Sequence, residues 1–149
     1  MRTASEQAIA IVKATAPAIE KHGVDITTAM YARLFQNAEV AAMFDRAAQD
    51  SGEQPRRLAA AILAYAKNID KLGNLGPAVQ RMVARHVETG VKADHYPLVA
   101  EALLPAIRDV LGADVATDEV LGAWGEAYWM LADILIGAEA QAYEDAAAA

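Results

Sequence analysis

Apolar positions recur at spacings of three and four along most of the chain, and the runs that carry this rhythm are long. The pattern predicts α-helices over 5–21, 25–36, 54–71, 75–89, 94–111 and 117–144, with a short helical turn over 38–43. The fold class expected is therefore all-α. Ser5, and Thr117 followed by acids, are placed as N-caps. Pro55 and Pro97 fall near helix starts, where a missing N–H costs little. Pro17 and Pro105 fall inside predicted helices, where each bends the helix or removes a hydrogen bond. His22 before Gly23 reads as a helix end and His95 as a helix start near water. The stretch DRAAQDSGEQP, from Asp45 to Pro55, has no period and reads as a mobile connection giving access from solvent, and the alanine-rich EDAAAA as a fraying tail.

Several polar residues interrupt apolar faces. In RMVARHVETG, His86 shares a helical face with Val79, Met82 and Val83, so it is expected to be buried, with each ring nitrogen needing a partner. That partner can be a carbonyl, an acid, water or a metal. Taken alone, the segment fits a satisfied core histidine as well as a ligand. On the last helix Trp124, Tyr128, Leu131 and Leu135 form a series whose next member is Glu139, a carboxylate where a leucine belongs. If covered, it must be paired; if the helix frays there, it reaches water. Tyr96 heads a third series through Val99, Ala100, Leu103 and Ile107. A metal-bound imidazole is usually held by an acceptor on its other nitrogen, and Tyr96 and Glu139 are of the right chemistry to supply it. Their meeting is not written in the spacing. Tyr31 shares a face with Thr27, Leu34 and Phe35, and Gln54 stands one turn before Leu58 on the face of Ala61, Ile62 and Tyr65. Each of these is ordinary by itself.

Composition narrows the chemistry. A chain of 149 residues is expected to form one domain, 1–149, with no room for a second catalytic one. Apolar residues make up 55% and the formal charge is −7, which argues against nucleic acid and anionic membrane as partners. With no cysteine there is no disulfide, thiolate metal site or cysteine nucleophile. Neither an export signal nor an apolar run of the roughly 18 residues that span a bilayer is visible, so a cytoplasmic location is the expectation. HVETGVKADH lacks the HExxH spacing, no GxGxxG or GxxxxGK occurs, and neither Ser5 nor Ser51 stands in a nucleophile elbow.

Seven segments in order, IVKATAPAIEKHGVDITTAMYARLF, MFD, QPRRL, ILAYAKNID, GPAVQRMVARH, HYPLV and AWGEAYWMLADILI, give the chain its resemblance. It resembles the bacterial single-domain haemoglobins related to the globin domain of flavohaemoglobins. The resemblance implies a globin fold, a helical sandwich around a pocket for haem b (iron protoporphyrin IX). It implies that His86 is the proximal iron ligand, polarised by Tyr96 and Glu139, and that Phe44 packs on the porphyrin edge. Tyr31, Gln54 and Leu58 then surround the open distal side. The ligands implied are O2, CO and NO. Reversible oxygen binding, storage or delivery is the first reading. Nitric oxide dioxygenation to nitrate, fed by a separate flavin reductase because no reductase domain is present, is the alternative; a haem-free helical interaction module is the third. Weak peroxidase activity and a homodimer are also compatible with the resemblance. Pro105 and the bulky Trp129 depart from the family pattern.

Overall fold

The computed structural model describes residues 2–44 and 46–148, and among them every regular element is helical. The first, α1 (Glu6–Leu34), is a single helix of 29 residues where the sequence predicts two. Ser5 caps it by accepting from the Ala8 N–H at 3.1 Å, and it continues through Pro17, His22 and Gly23. The predicted break misreads Gly23, which keeps a helical backbone and none of the positive φ of a terminating glycine. Its reason is packing. A Cβ there would lie 3.2 Å from the Ala59 Cβ, so the missing side chain is what lets a crossing helix approach closely.

That crossing helix is α4 (Glu53–Lys67). Before it come α2 (Ala38–Ala41), capped by the Asn37 side chain, and α3 (Arg46–Asp50). The expected irregular connection after Phe44 is thus corrected to a short helix, a turn and Gly52 at φ 79°; Asp45 itself lies outside the described residues. Helix α4 stops at Lys67, short of the predicted 71, on Asn68, whose N–H is shared between the Ala64 and Tyr65 carbonyls while its side chain also donates to Ala64 at 2.9 Å. A 3-10 turn (Leu72–Leu75) leads into α5 (Gly76–Thr89), which ends on Gly90 at φ 83°. Then follow α6 (His95–Leu111) and α7 (Asp118–Ala148), the latter capped by Thr117 accepting from the Val120 N–H. The alanine-rich tail remains helical to Ala148 and does not fray, as the high helix propensity of alanine allows.

Helix α1 is the spine, packing on α4, α6 and α7. Val12, Ile26, Met30, Ile69 and Ile107 are almost completely buried along it, each contributing roughly 1.5–3 kcal/mol. Polar ties fix the crossings. Thr27, fully buried, donates to the Pro55 carbonyl at 2.8 Å; Trp124 Nε1 donates to Thr15 at 2.9 Å; Tyr65 donates to the Ala127 carbonyl at 2.7 Å. Among the described residues no helix is long and apolar enough to cross a membrane.

Two expectations follow. Gly23→Val pushes a branched side chain into Ala59 and should destabilise the protein by about 1–3 kcal/mol in urea denaturation, as overpacking does. The second concerns Tyr65 and Tyr128, whose phenols burial holds well above the ordinary tyrosine value of 10.0. The folded chain binds these protons more tightly than the unfolded one, so their contribution is complete below the unfolded pKa and is lost as pH rises above about 10. An alkaline titration followed by tyrosinate absorbance should show these two ionising together with unfolding, well above pH 10.

Candidate functional site

A cavity of about 350 Å³ lies inside the bundle, with walls contributed by α1, α4, α5, α6 and α7. Helices α4 and α5 pack on the rest of the bundle more than on each other, and the gap between them is part of this space. Phe44, Leu58, Ile62, Val99, Leu131 and Leu135 make much of the lining apolar. At Arg85 and Thr89, both exposed, the lining reaches the surface.

On the α5 side, three residues distant in sequence come together. His86 Nδ1 lies 2.8 Å from Glu139 Oε2 and 3.1 Å from the Tyr96 hydroxyl, which donates to Glu139 Oε1 at 2.6 Å. Glu139 is only 3% exposed. An ionised carboxylate accepts and does not donate, so the short contact places the imidazole proton on Nδ1 and leaves the lone pair on Nε2. Among the described residues Nε2 has no hydrogen-bond partner, and His86 lines the cavity. Burial, and then the hydrogen bond to Glu139, hold the Tyr96 phenol far above its ordinary pKa, so it remains a donor. The backbone supports this arrangement: the His86 carbonyl accepts from Val91 N–H at 2.8 Å, and Tyr128 donates to the Tyr96 carbonyl at 2.6 Å.

Tyr31 enters the same cavity from α1, with Gln54 and Leu58 from α4 and Phe44 from the turn after α2. Gln54 Nε2 donates to the Tyr31 hydroxyl at 3.3 Å. The hydroxyl proton therefore remains available for a guest. Burial raises the Tyr31 pKa, with the Gln54 hydrogen bond opposing, so the group stays a neutral donor at ordinary pH. Its ring belongs to a three-membered cluster, with centroids 5.4 Å from Phe35 and 5.4 Å from Phe44. The buried Thr27–Pro55 bond, one turn along α1 from Tyr31, anchors the residue next to Gln54.

All seven residues singled out in the sequence thus lie at or directly behind one cavity. Missing from that reading are Thr27 as a tie, and Tyr128 and Tyr143 as hydrogen-bond donors to the backbone around the histidine. A signal existed: on the α7 face Tyr128 precedes Glu139 by three turns and Tyr143 follows by one. The two departures have local structural settings. Trp129 stacks on Tyr128 at 5.2 Å and is covered by the Arg2 guanidinium, while Pro105 sits within an α6 that continues through it. His95 does start α6, but it lines the cavity and accepts from the Lys92 N–H at 2.9 Å.

No cluster of three or more His, Cys, Asp or Glu residues is set to hold a metal among the described residues. A metal on His86 would therefore need ligands beyond such a cluster, and a planar tetradentate cofactor would supply them. The cavity fits such a group: a single aimed nitrogen, apolar walls and a donor phenol.

Comparison with known proteins agrees with this geometry. The Globin family model matches residues 28–135. A flavohemoprotein of Xylella fastidiosa is 50% identical over 136 residues, covering 91% of this chain and 34% of that protein. The chain spans about a third of the length of the curated relatives it matches. An engineered carbene transferase made from a candidate nitric oxide dioxygenase of Rhodothermus marinus superposes with a TM-score of 0.90 at 45% identity, over 97% of this chain and 99% of that one. The flavohemoglobin of Malassezia yamatoensis, solved with bound FAD and heme, gives 0.86 at 33% identity, over 94% and 37%. By the match over most of its length and by the helical frame around its cavity, the chain belongs to the globin family.

Proposed function

We propose that this chain holds haem b through His86 Nε2 and binds oxygen reversibly beside Tyr31. Haem is the cofactor of the globin family, and the observation that carries the assignment is the use of Nδ1 by Glu139 and Tyr96. That contact fixes the tautomer, directs Nε2 to the cavity and makes the imidazole a stronger donor. Haem supplies a reduced iron able to take a diatomic gas such as O2, CO or NO. Tyr31 donates to the guest from the distal side, and Gln54 holds the phenol in position. Phe44 and Leu58, which line the cavity, would pack against the porphyrin and keep water out. On this reading 1–149 acts as one globin domain.

A second reading, nitric oxide dioxygenation, is favoured by the Glu139 carboxylate behind His86, and the Rhodothermus relative is named as a candidate for that activity. The overall change, NO plus O2 plus one electron giving nitrate, needs a reductant, which a separate flavin reductase supplies. Tyr31 and Gln54 serve both readings, since each requires a bound gas with partial negative charge to be steadied by a hydrogen bond.

The purified protein, given hemin, should acquire a Soret band that shifts on reduction and again with CO, and His86→Ala should abolish the His-ligated spectrum. Tyr31→Phe removes a hydrogen bond worth roughly 1–3 kcal/mol to a charged acceptor and should quicken O2 release about 5- to 150-fold in stopped flow. An unchanged off-rate would sink the distal assignment. Nitrate that continues to accumulate with a flavin reductase and reduced nicotinamide favours the second reading; a single stoichiometric burst that stops favours the first.

A further inference from the structure

Helix α5 carries His86 yet has no fully buried residue among its fourteen. Its apolar packing is partial, with Val79, Met82 and Val83 against the buried Tyr96, Ala132 and Leu135, so its polar ties carry more of its placement. Besides the Lys92 N–H to His95 Nδ1 bond within the connection to α6, three side-chain hydrogen bonds among the described residues join α5 and the turn that follows it to other helices. Two are made by His86 itself, to Tyr96 and Glu139. The third runs from the Tyr143 hydroxyl to the Val91 carbonyl at 2.7 Å.

The position of this third bond is what gives it a role. Val91 is the residue whose N–H is bonded to the His86 carbonyl at 2.8 Å, just past the glycine that ends α5. Tyr143 stands one turn beyond Glu139 on α7. The bond thus pins the end of the histidine helix to the same helix that supplies the carboxylate, without touching either partner of the His86–Glu139 contact. Around it is a second, smaller cavity of about 190 Å³, lined by Val91, Lys92, Ile136, Glu139 and Tyr143 among others. Glu139 is among its lining residues, so this space adjoins the carboxylate on the side of the α5 end. The Lys92 ammonium lies 3.7 Å from the centre of the Tyr143 ring and covers its outer face.

We propose that Tyr143 is a positioning residue: it sets the distance between His86 and Glu139, and through that distance how strongly the imidazole donates to the haem iron. The proposal rests on the assignment of His86 as the iron ligand. Tyr143 contacts neither the iron nor the gas; its effect passes through Val91.

The test uses the haem-loaded full chain and compares Tyr143→Phe, Glu139→Gln and Lys92→Met. The first readout is the iron–histidine stretching frequency of the reduced, ligand-free protein by resonance Raman, which responds to the hydrogen bond on Nδ1. Tyr143→Phe keeps the ring and loses the donor; the frequency should fall in the same direction as in Glu139→Gln, by a fraction of that shift. Haem transfer to a scavenger should quicken about fivefold, the net worth of one neutral hydrogen bond. Lys92→Met, which leaves the hydroxyl in place, should leave the frequency unchanged. A wild-type frequency in Tyr143→Phe while Glu139→Gln shifts overturns the proposal and leaves the proximal assignment standing. No iron–histidine band in the wild type overturns that assignment instead. If Tyr143→Phe fails to fold by circular dichroism, Tyr143→His, which keeps a ring donor, is compared with Tyr143→Leu. A frequency nearer wild type in the histidine variant supports the proposal, and equal frequencies overturn it.

Discussion

Burial of the Glu139 carboxylate is the constraint from which the rest of the site follows. A charge so placed is costly by several kcal/mol unless it is fully engaged, and both of its oxygens are: one by the Tyr96 hydroxyl, the other by His86 Nδ1. Satisfying the acid simultaneously orients the base. The imidazole cannot rotate or change tautomer without stranding the carboxylate, so stability and ligand geometry are enforced by one set of bonds. Tyr96 takes part because its phenol remains protonated under the combined effect of burial and the adjacent acid.

The frame exists to bring three helices to that point and a fourth to its far side. Helix α1 runs unbroken past α4 because Gly23 removes the side chain that would hold them apart. The same close crossing permits the buried Thr27–Pro55 bond, which brings the start of α4, with Gln54, alongside Tyr31. Distal polarity is therefore a product of backbone packing as much as of the two residues that display it. Aromatic rings at Phe35 and Phe44 lock the Tyr31 ring from its edges, leaving only the hydroxyl to interact with a guest.

Much of this was legible beforehand, and unevenly so. Helical periodicity located the five long helices, though it divided α1 in two, and showed which face of each turns inward, because burial of an apolar stripe dominates the free energy of a helix in a bundle. It marked His86, Tyr96 and Glu139 as polar intruders, though their meeting depends on helix crossings that no local pattern encodes. Local punctuation was the weaker guide. Gly23 looked like a stop signal because a glycine that frees the backbone and one that frees space have the same letter. Helix α4 ended early on Asn68, and the alanine tail stayed helical because propensity outweighed its position at the end. The family resemblance supplies the gathering of seven residues in one place, while the hydrogen bonds of Tyr128 and Tyr143 to the backbone around them are not legible in the spacing, which shows Tyr128 only as a member of an apolar series.

The lack of buried residues on α5 has a consequence for how the molecule comes together. The main core contains no α5 residue; Val79, Met82 and Val83 pack instead on the smaller cluster of Tyr96, Ala132 and Leu135. Resistance to local opening should accordingly be graded, greatest along the α1 spine and least at the segment bearing His86. On the proposed reading, a prosthetic group bonded to His86 would add most stability at the one long helix that gives no residue to the main core.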